Sequence, residues 1–170
     1  MITREQSSFN NAISAARSCD ECWLALEDLS KAIAGHQIFT VMTVDLRAGL
    51  ARRAYSSHPV HYPVSGTKLI TRNSWFDVVH GERRSFIANT IEDIATVFPD
   101  HELIAALGCG SVINLPVVLG GELVATINML DAAHHFTDVI VERAEAELAV
   151  PARLSCALAL LFDSGGGTSD

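Results

Sequence analysis

GCGSVINLPVVLGGELVATINMLD, from Gly108 to Asp131, is the stretch whose reading decides the fold. Two apolar runs, Ser111 to Val118 and Glu122 to Leu130, flank Leu119-Gly120-Gly121, and both are rich in β-branched residues. Gly-Gly supplies the positive φ angles of a tight hairpin turn, so the runs read as paired antiparallel strands. With Gly120 and Gly121 as the loop, Val118 faces Leu123, Pro116 faces Ala125 and Asn114 faces Ile127. One face then carries Val112, Asn114, Pro116, Val118, Leu123, Ala125, Ile127 and Met129. The other carries Ser111, Ile113, Leu115, Val117, Val124, Thr126, Asn128 and Leu130. Both faces are mainly apolar, so both must be covered.

The flanking sequence supplies the covers. Thr3-x-x-Gln6 and Ser18-x-x-Glu21 have the form of capping boxes, each opening a helix. Cys22, Leu26, Leu29 and Ile33 then recur at helical spacing up to a stop at Gly35. Gln37 to Asp45 reads as a strand, Leu46 to Gly49 as a turn, and Leu50 to Ser57 as an antiparallel partner. In that partner, strict alternation puts Arg53 and Tyr55 on one face. His58 to Gly66 holds Pro59 and Pro63, which remove ladder donors, and reads as a crossover loop. A short helix near Ser74 to His80, a short strand at Ser85 to Ala88 and helical turns at Ile91 to Val97 and Asp100 to Leu107 return the chain to the hairpin. After Asp131, a long helix begins near Thr137, with Pro151 expected to kink or break it. Asp163 to Asp170 has nothing to bury and is expected to be disordered.

These elements predict an α/β (α+β) domain over residues 1–162, with 1–19 as a helical extension. A central, mainly antiparallel sheet of about five to six strands has the N- and C-terminal helices on one face. The crossover and short helices lie on the other. The chain of 170 residues is long enough for a sizeable core. No apolar run approaches the ~20 residues of a membrane span, and Met1 to Arg17 lacks a signal-peptide core. The net charge of −8 and scattered basic residues argue against nucleic acid. The expectation is a cytoplasmic protein with neither nucleic-acid nor membrane partners. Four cysteines, unevenly placed, do not make a disulfide framework.

The order of elements and the hairpin residues resemble a GAF domain over roughly Asp20 to Leu161. The resemblance rests on the small-residue entry Gly108 to Ser111, Asn114-Leu115-Pro116-Val117, the Gly-Gly turn, Asn128, and Phe136-Thr137 before an acidic helix. It implies a stand-alone module of a family that binds cyclic nucleotides, bilins, haem or small metabolites, dimerises through its terminal helices and occasionally catalyses. Cyclic-nucleotide binders of that family carry Asn-Lys, Phe and Asp-Glu after the hairpin. Here Asn128 and Phe136 match, Met129 replaces the lysine, and Ile140-Val141 stand where the acids belong. Members that reduce free methionine sulfoxide use a cysteine cluster, of which only Cys109 is present in the corresponding half.

Cys19-x-x-Cys22 has redox or half-zinc spacing but lacks a second pair, and Cys22 falls on the apolar stripe. His58-x-x-His61 and His134-His135 lie on separate loops and read as solvated or hydrogen-bonded histidines, so no metal is assigned. No catalytic residue and no cofactor is assigned either. The constellation that points to chemistry is Arg53, Tyr55, His58, Tyr62, Trp75, Asn89 and Asn114, with Cys109 lining a cavity. Aromatic walls with a few orienting polar groups suit a small-molecule site. Asn114, polar on an apolar strand, needs a partner or a ligand. The reading is a sensor module that binds a small anionic or amphipathic metabolite between the sheet and Tyr55 to Trp75, with a homodimer through the terminal helices. The alternatives are a thiol enzyme using Cys109 and a dimerisation scaffold without ligand.

Overall fold

A computed structural model describes residues 1–64 and 66–165. Helices α1 (Arg4–Ala15) and α2 (Cys19–Ala34) open the chain. Thr3 Oγ1 accepts the Gln6 amide at 3.2 Å while the Thr3 amide donates to Gln6 Oε1 at 3.0 Å, a complete capping box. Ser18 caps α2 through the Glu21 amide, but the Glu21 carboxylate reaches back to the Arg17 amide. Gly35, at φ 70°, ends α2 with its amide on the Lys31 carbonyl.

Six antiparallel strands follow, β1 (Ile38–Asp45), β2 (Leu50–Ser56), β3 (Thr67–Leu69), β4 (Phe86–Ala88), β5 (Ser111–Leu119) and β6 (Glu122–Asp131). Their spatial order is β3-β2-β1-β6-β5-β4. Between β3 and β4 lies α3 (Ser74–Phe76), continued by a π turn over Asp77–Gly81. Between β4 and β5 lie α4 (Ile91–Ala95) and α5 (His101–Ala106). The last helix, α6 (Asp138–Gly165), is unbroken although Pro151 forfeits one of its backbone bonds. Asp163, Ser164 and Gly165 belong to it, so the expected tail does not start at Asp163; residues 166–170 lie outside the described residues. The three-residue strand β3 was not foreseen, because so short a segment carries no periodicity.

Both sheet faces are buried, as the hairpin composition requires. Phe39, Val41, Ile113, Ile127 and Met129 pack under α1, α2 and α6, which contribute Phe9, Leu26, Leu29, Ala144 and Leu148. Each such aliphatic or aromatic side chain is worth about 1.5–3 kcal/mol of burial. On the opposite face Ile38, Val112 and Leu130 meet Tyr62, Ile94, Ile104 and Cys109.

Two β-bulges correct the expected faces. In β5–β6, Val118 pairs with Leu123 but Val117 pairs with Ala125, so Val124 is an extra residue. Beyond it Asn114 pairs with Asn128 rather than Ile127, and Pro116 with Thr126. In β1–β2, Val41 pairs with Tyr55 but Met42 with Arg53, so Ala54 is extra. Arg53 and Tyr55 therefore point to opposite faces. One inserted residue reverses the side-chain alternation of everything beyond it.

Gly120 (φ 57°) and Gly121 (φ 82°) close the hairpin as read from the sequence. A Cβ at Gly121 would meet nothing within 4 Å, so the cost of Gly121→Val is conformational. We expect it to lower stability by about 1–3 kcal/mol, measured by urea denaturation. An unchanged midpoint would mean that the turn tolerates a β-branched residue at positive φ.

Candidate functional site

The strongest polar feature is a buried track across three central strands on the face away from the long helices. Trp75 Nε1 donates to Asn114 Oδ1 at 2.9 Å, and Asn114 Nδ2 donates to Asn128 Oδ1 at 2.7 Å. Asn128 Nδ2 then donates to Thr40 Oγ1 at 3.2 Å and to the Thr126 carbonyl at 3.4 Å. Thr40, Asn114, Thr126 and Asn128 are all buried. Thr126 is 1% exposed, and its hydroxyl has no hydrogen-bond partner among the described residues. An orphaned buried hydroxyl costs free energy and invites a partner.

The crossover roofs this track. Tyr62, buried, donates its hydroxyl to the Asp100 carboxylate. That bond explains why Asp100, at the start of α5, makes no side-chain cap. Burial first, and then the Asp100 bond, push the Tyr62 phenol well above its ordinary range. Arg53 lies over the Tyr62 ring at 4.3 Å and donates from Nη1 to the Pro63 carbonyl at 3.0 Å. Trp75 packs edge-on against Phe98. Arg53, Tyr62, Trp75 and Asn114 thus lie on one side of the sheet.

Four expected members go elsewhere. Tyr55 faces the helices, where its hydroxyl donates to Glu27 Oε2 at 2.6 Å and its ring meets Phe39. The Ala54 bulge is the reason. Asn89 secures the entry to α6 through the Phe136 carbonyl at 3.0 Å, and its own carbonyl accepts the His134 amide. His58 packs against His61 within the loop, with ring centroids 5.4 Å apart. Cys109 is buried in the cluster below α4 and α5, where burial, reinforced by Asp131, pushes its thiol up to about 11. It lies at the margin of a shallow depression of about 380 Å³ shared with Thr90, Ile91 and His134. A second depression, of about 340 Å³, lies between Arg83–Ser85, Pro116 and α6. Neither is lined by the segment from Tyr55 to Trp75.

Sequence reasoning missed Asn128, Thr40 and Thr126. Thr126 and Asn128 were visible as polar residues two apart on β6, but the uncorrected register put them on the opposite face from Asn114. Among the described residues no cluster of His, Cys, Asp or Glu could hold a metal. His135 instead bonds the Ala34 carbonyl through Nε2 at 2.8 Å. Cys19 donates to the Ala159 carbonyl at 3.4 Å, and burial first, then Asp163, push it up to about 11. Cys19 and Cys22 are both free thiols, and Cys22 is fully buried on the apolar side of α2.

With this geometry in place, solved structures that resemble the chain over nearly its full length include several GAF domains. The GAF domain of a phosphoenolpyruvate-protein phosphotransferase from Coxiella burnetii superposes with a TM-score of 0.69 at 15% identity, covering 96% of this chain and 95% of that one. Its counterpart from Acinetobacter gives 0.68 at 12% identity, covering 100% of both chains. The free methionine-R-sulfoxide reductase of Neisseria meningitidis, solved with its substrate, gives 0.60 at 13% identity, covering 90% of this chain and 86% of that one. No protein-family model matches the sequence, and no curated protein does. The chain has the GAF fold, an antiparallel sheet between long helices and a layer of crossover and short helices.

Proposed function

We propose that the chain is a sensory module whose small-molecule site is the Thr40–Asn128–Asn114 track beneath Trp75 and Tyr62. The observation that carries the reading is the Thr126 hydroxyl, fully buried beside that track and without a partner among the described residues. The site is closed, and Trp75 acts as its cover. A ligand with a hydrogen-bonding edge would displace the indole from Asn114 and engage the two asparagines and Thr126. Arg53, at the margin, suits an anionic group on the same molecule. The raised thiol of Cys109 disfavours the thiolate an enzyme would use near neutral pH, so the thiol-enzyme alternative gains nothing from the geometry.

The test uses tryptophan emission. Trp23 is buried in the helical layer, so Trp23→Phe leaves Trp75 as the only indole. A carboxylate and heterocycle library should contain a compound that shifts its emission saturably, with matching heat in calorimetry. Arg53→Ala should weaken a carboxylate ligand by about 1.5–3 kcal/mol. A library without a binder would leave the scaffold reading.

A specific observation also favours output through a homodimer. Alpha helix α6 is long and apolar enough to pass for a membrane span, yet Ala144, Leu148, Ala152 and Cys156 on one side are committed to the core. On its outer side Val150 (67% exposed), Leu154 (45%) and Leu161 (68%) form a stripe at helical spacing. A second copy would cover it, with α6 carrying the signal between protomers. Sedimentation equilibrium should show a dimer at about tens of micromolar, and Val150→Glu with Leu161→Glu should yield a monomer. A wild-type monomer at that concentration removes this part of the proposal.

A further inference from the structure

Charge is divided unevenly along this acidic chain. Leu46 to Phe76 carries five of the 12 Lys and Arg residues, Arg47, Arg52, Arg53, Lys68 and Arg72, and none of the 20 Asp and Glu. Within it, β2 and β3 lie at one margin of the sheet and carry Arg52, Arg53 and Lys68, with β3 the last strand in the order. Arg47, Arg52, Lys68 and Arg72 are exposed, Arg72 lying over the Phe76 ring, and none of the four forms an ion pair among the described residues. A strongly exposed apolar side chain stands on the same strand as Lys68, Leu69 (78%). Basic and apolar groups together at a strand edge call for a partner that is both acidic and extended.

The backbone supplies the docking line. Ile70 donates to the Gly49 carbonyl at 2.9 Å, and Lys68 pairs with Ala51 two residues along. In an antiparallel ladder the bonding direction alternates, so the amide and carbonyl of Thr67 and of Leu69 point outward, away from β2. Among the described residues no strand pairs with that side. Leu69 shares a sheet face with Leu50, and Lys68 projects from the opposite face with Ala51. A strand added here would lay alternate side chains against Leu69 on one face and Lys68 on the other.

From this juxtaposition we infer that the β3 edge binds an acidic extended peptide by strand addition, with its apolar side chains toward Leu69 and its carboxylates toward Lys68. Arg52 and Arg72 add an attractive field from the flanks, which speeds encounter with an acidic segment and weakens with salt. Backbone bonding would set affinity and the alternating side chains selectivity. The site is independent of the small-molecule track.

The probe is a fluorescent peptide of alternating glutamate and valine, titrated into the full chain at low salt and followed by anisotropy. We expect saturable binding, weakened about tenfold or more in Lys68→Glu/Arg72→Glu, since each like-charge juxtaposition opposes the carboxylates. Leu69→Pro removes an outward amide while leaving the bonds at Lys68 and Ile70, so it should weaken binding about fivefold or more without changing the melting temperature. The same peptide, N-methylated at alternate residues, should not bind. The inference is overturned by no binding, by equal binding of the N-methylated peptide, or by binding unchanged in both variants. It is equally overturned if anionic phosphatidylglycerol vesicles or single-stranded RNA bind and the peptide does not.

Discussion

Asn114→Leu should destabilise the fold by about 2–4 kcal/mol in urea denaturation, well above the roughly 1 kcal/mol of an average substitution. The side chain removed accepts from Trp75 at 2.9 Å and donates to Asn128 at 2.7 Å. Trp75 is only half-buried, so its indole N–H can turn to water. Asn128 has no such outlet; its carbonyl oxygen would stay buried without a donor, and that orphan accounts for most of the loss. Adding Asn128→Leu should recover part of it, because removing both partners of a buried bond costs less than stranding one. A single variant as stable as the wild type would show that the asparagines are not coupled. A double variant worse than the single one would place the cost in packing. Either outcome also bears on the proposed ligand site, since the same groups are to be released by a ligand that displaces Trp75.

A second large effect is a loss of stability in mild acid centred on His36. Burial pushes this imidazole down to about 4, against an ordinary 6.5; Lys31 and His135 push the same way, while the Glu27 carbonyl and Asp131 oppose. Its Nδ1 is buried and without a partner among the described residues, and its ring is tilted against Phe39 at 5.4 Å. The fold therefore favours the neutral ring. Between pH 6.5 and about 4 the unfolded chain binds a proton at His36 that the folded chain refuses. Stability is thus full above pH 6.5, falls as pH drops through that window, and levels off below about 4. The total loss is about 3 kcal/mol, each pKa unit being worth about 1.4 kcal/mol. His36→Gln, which does not titrate, should lack this decline, so the difference between the two pH–stability curves should change by about 3 kcal/mol across the window. If the wild type and the variant decline in parallel from pH 6.5 to 4, His36 is not the source.

Local signals that read correctly were those whose physics is confined to a few neighbouring residues. Thr3 and Gln6 form a capping box because each satisfies an amide three positions away. Gly120 and Gly121 turn the hairpin because their φ angles are costly for any other residue. The apolar composition of both hairpin faces required two covering layers, and two are present. Asn114, a polar residue within an apolar strand, needed partners, and it has them in Trp75 and Asn128.

What the sequence could not determine was which side each polar residue faces. That depended on two single-residue insertions, Val124 in β6 and Ala54 in β2. A bulge needs no special residue; it forms when the side chains beyond it bury better on the other face. Ile127 and Met129 pack under the long helices because of the first, leaving Thr126 and Asn128 beside Asn114. Tyr55 reaches Glu27 because of the second, leaving Arg53 to cover Tyr62. The sequence alone determined the order of the elements, the turn and the need for two covers, because those follow from local backbone preference and composition. The register and the membership of the site were decided by the tertiary structure, because only packing against distant helices selects between the two faces of a strand.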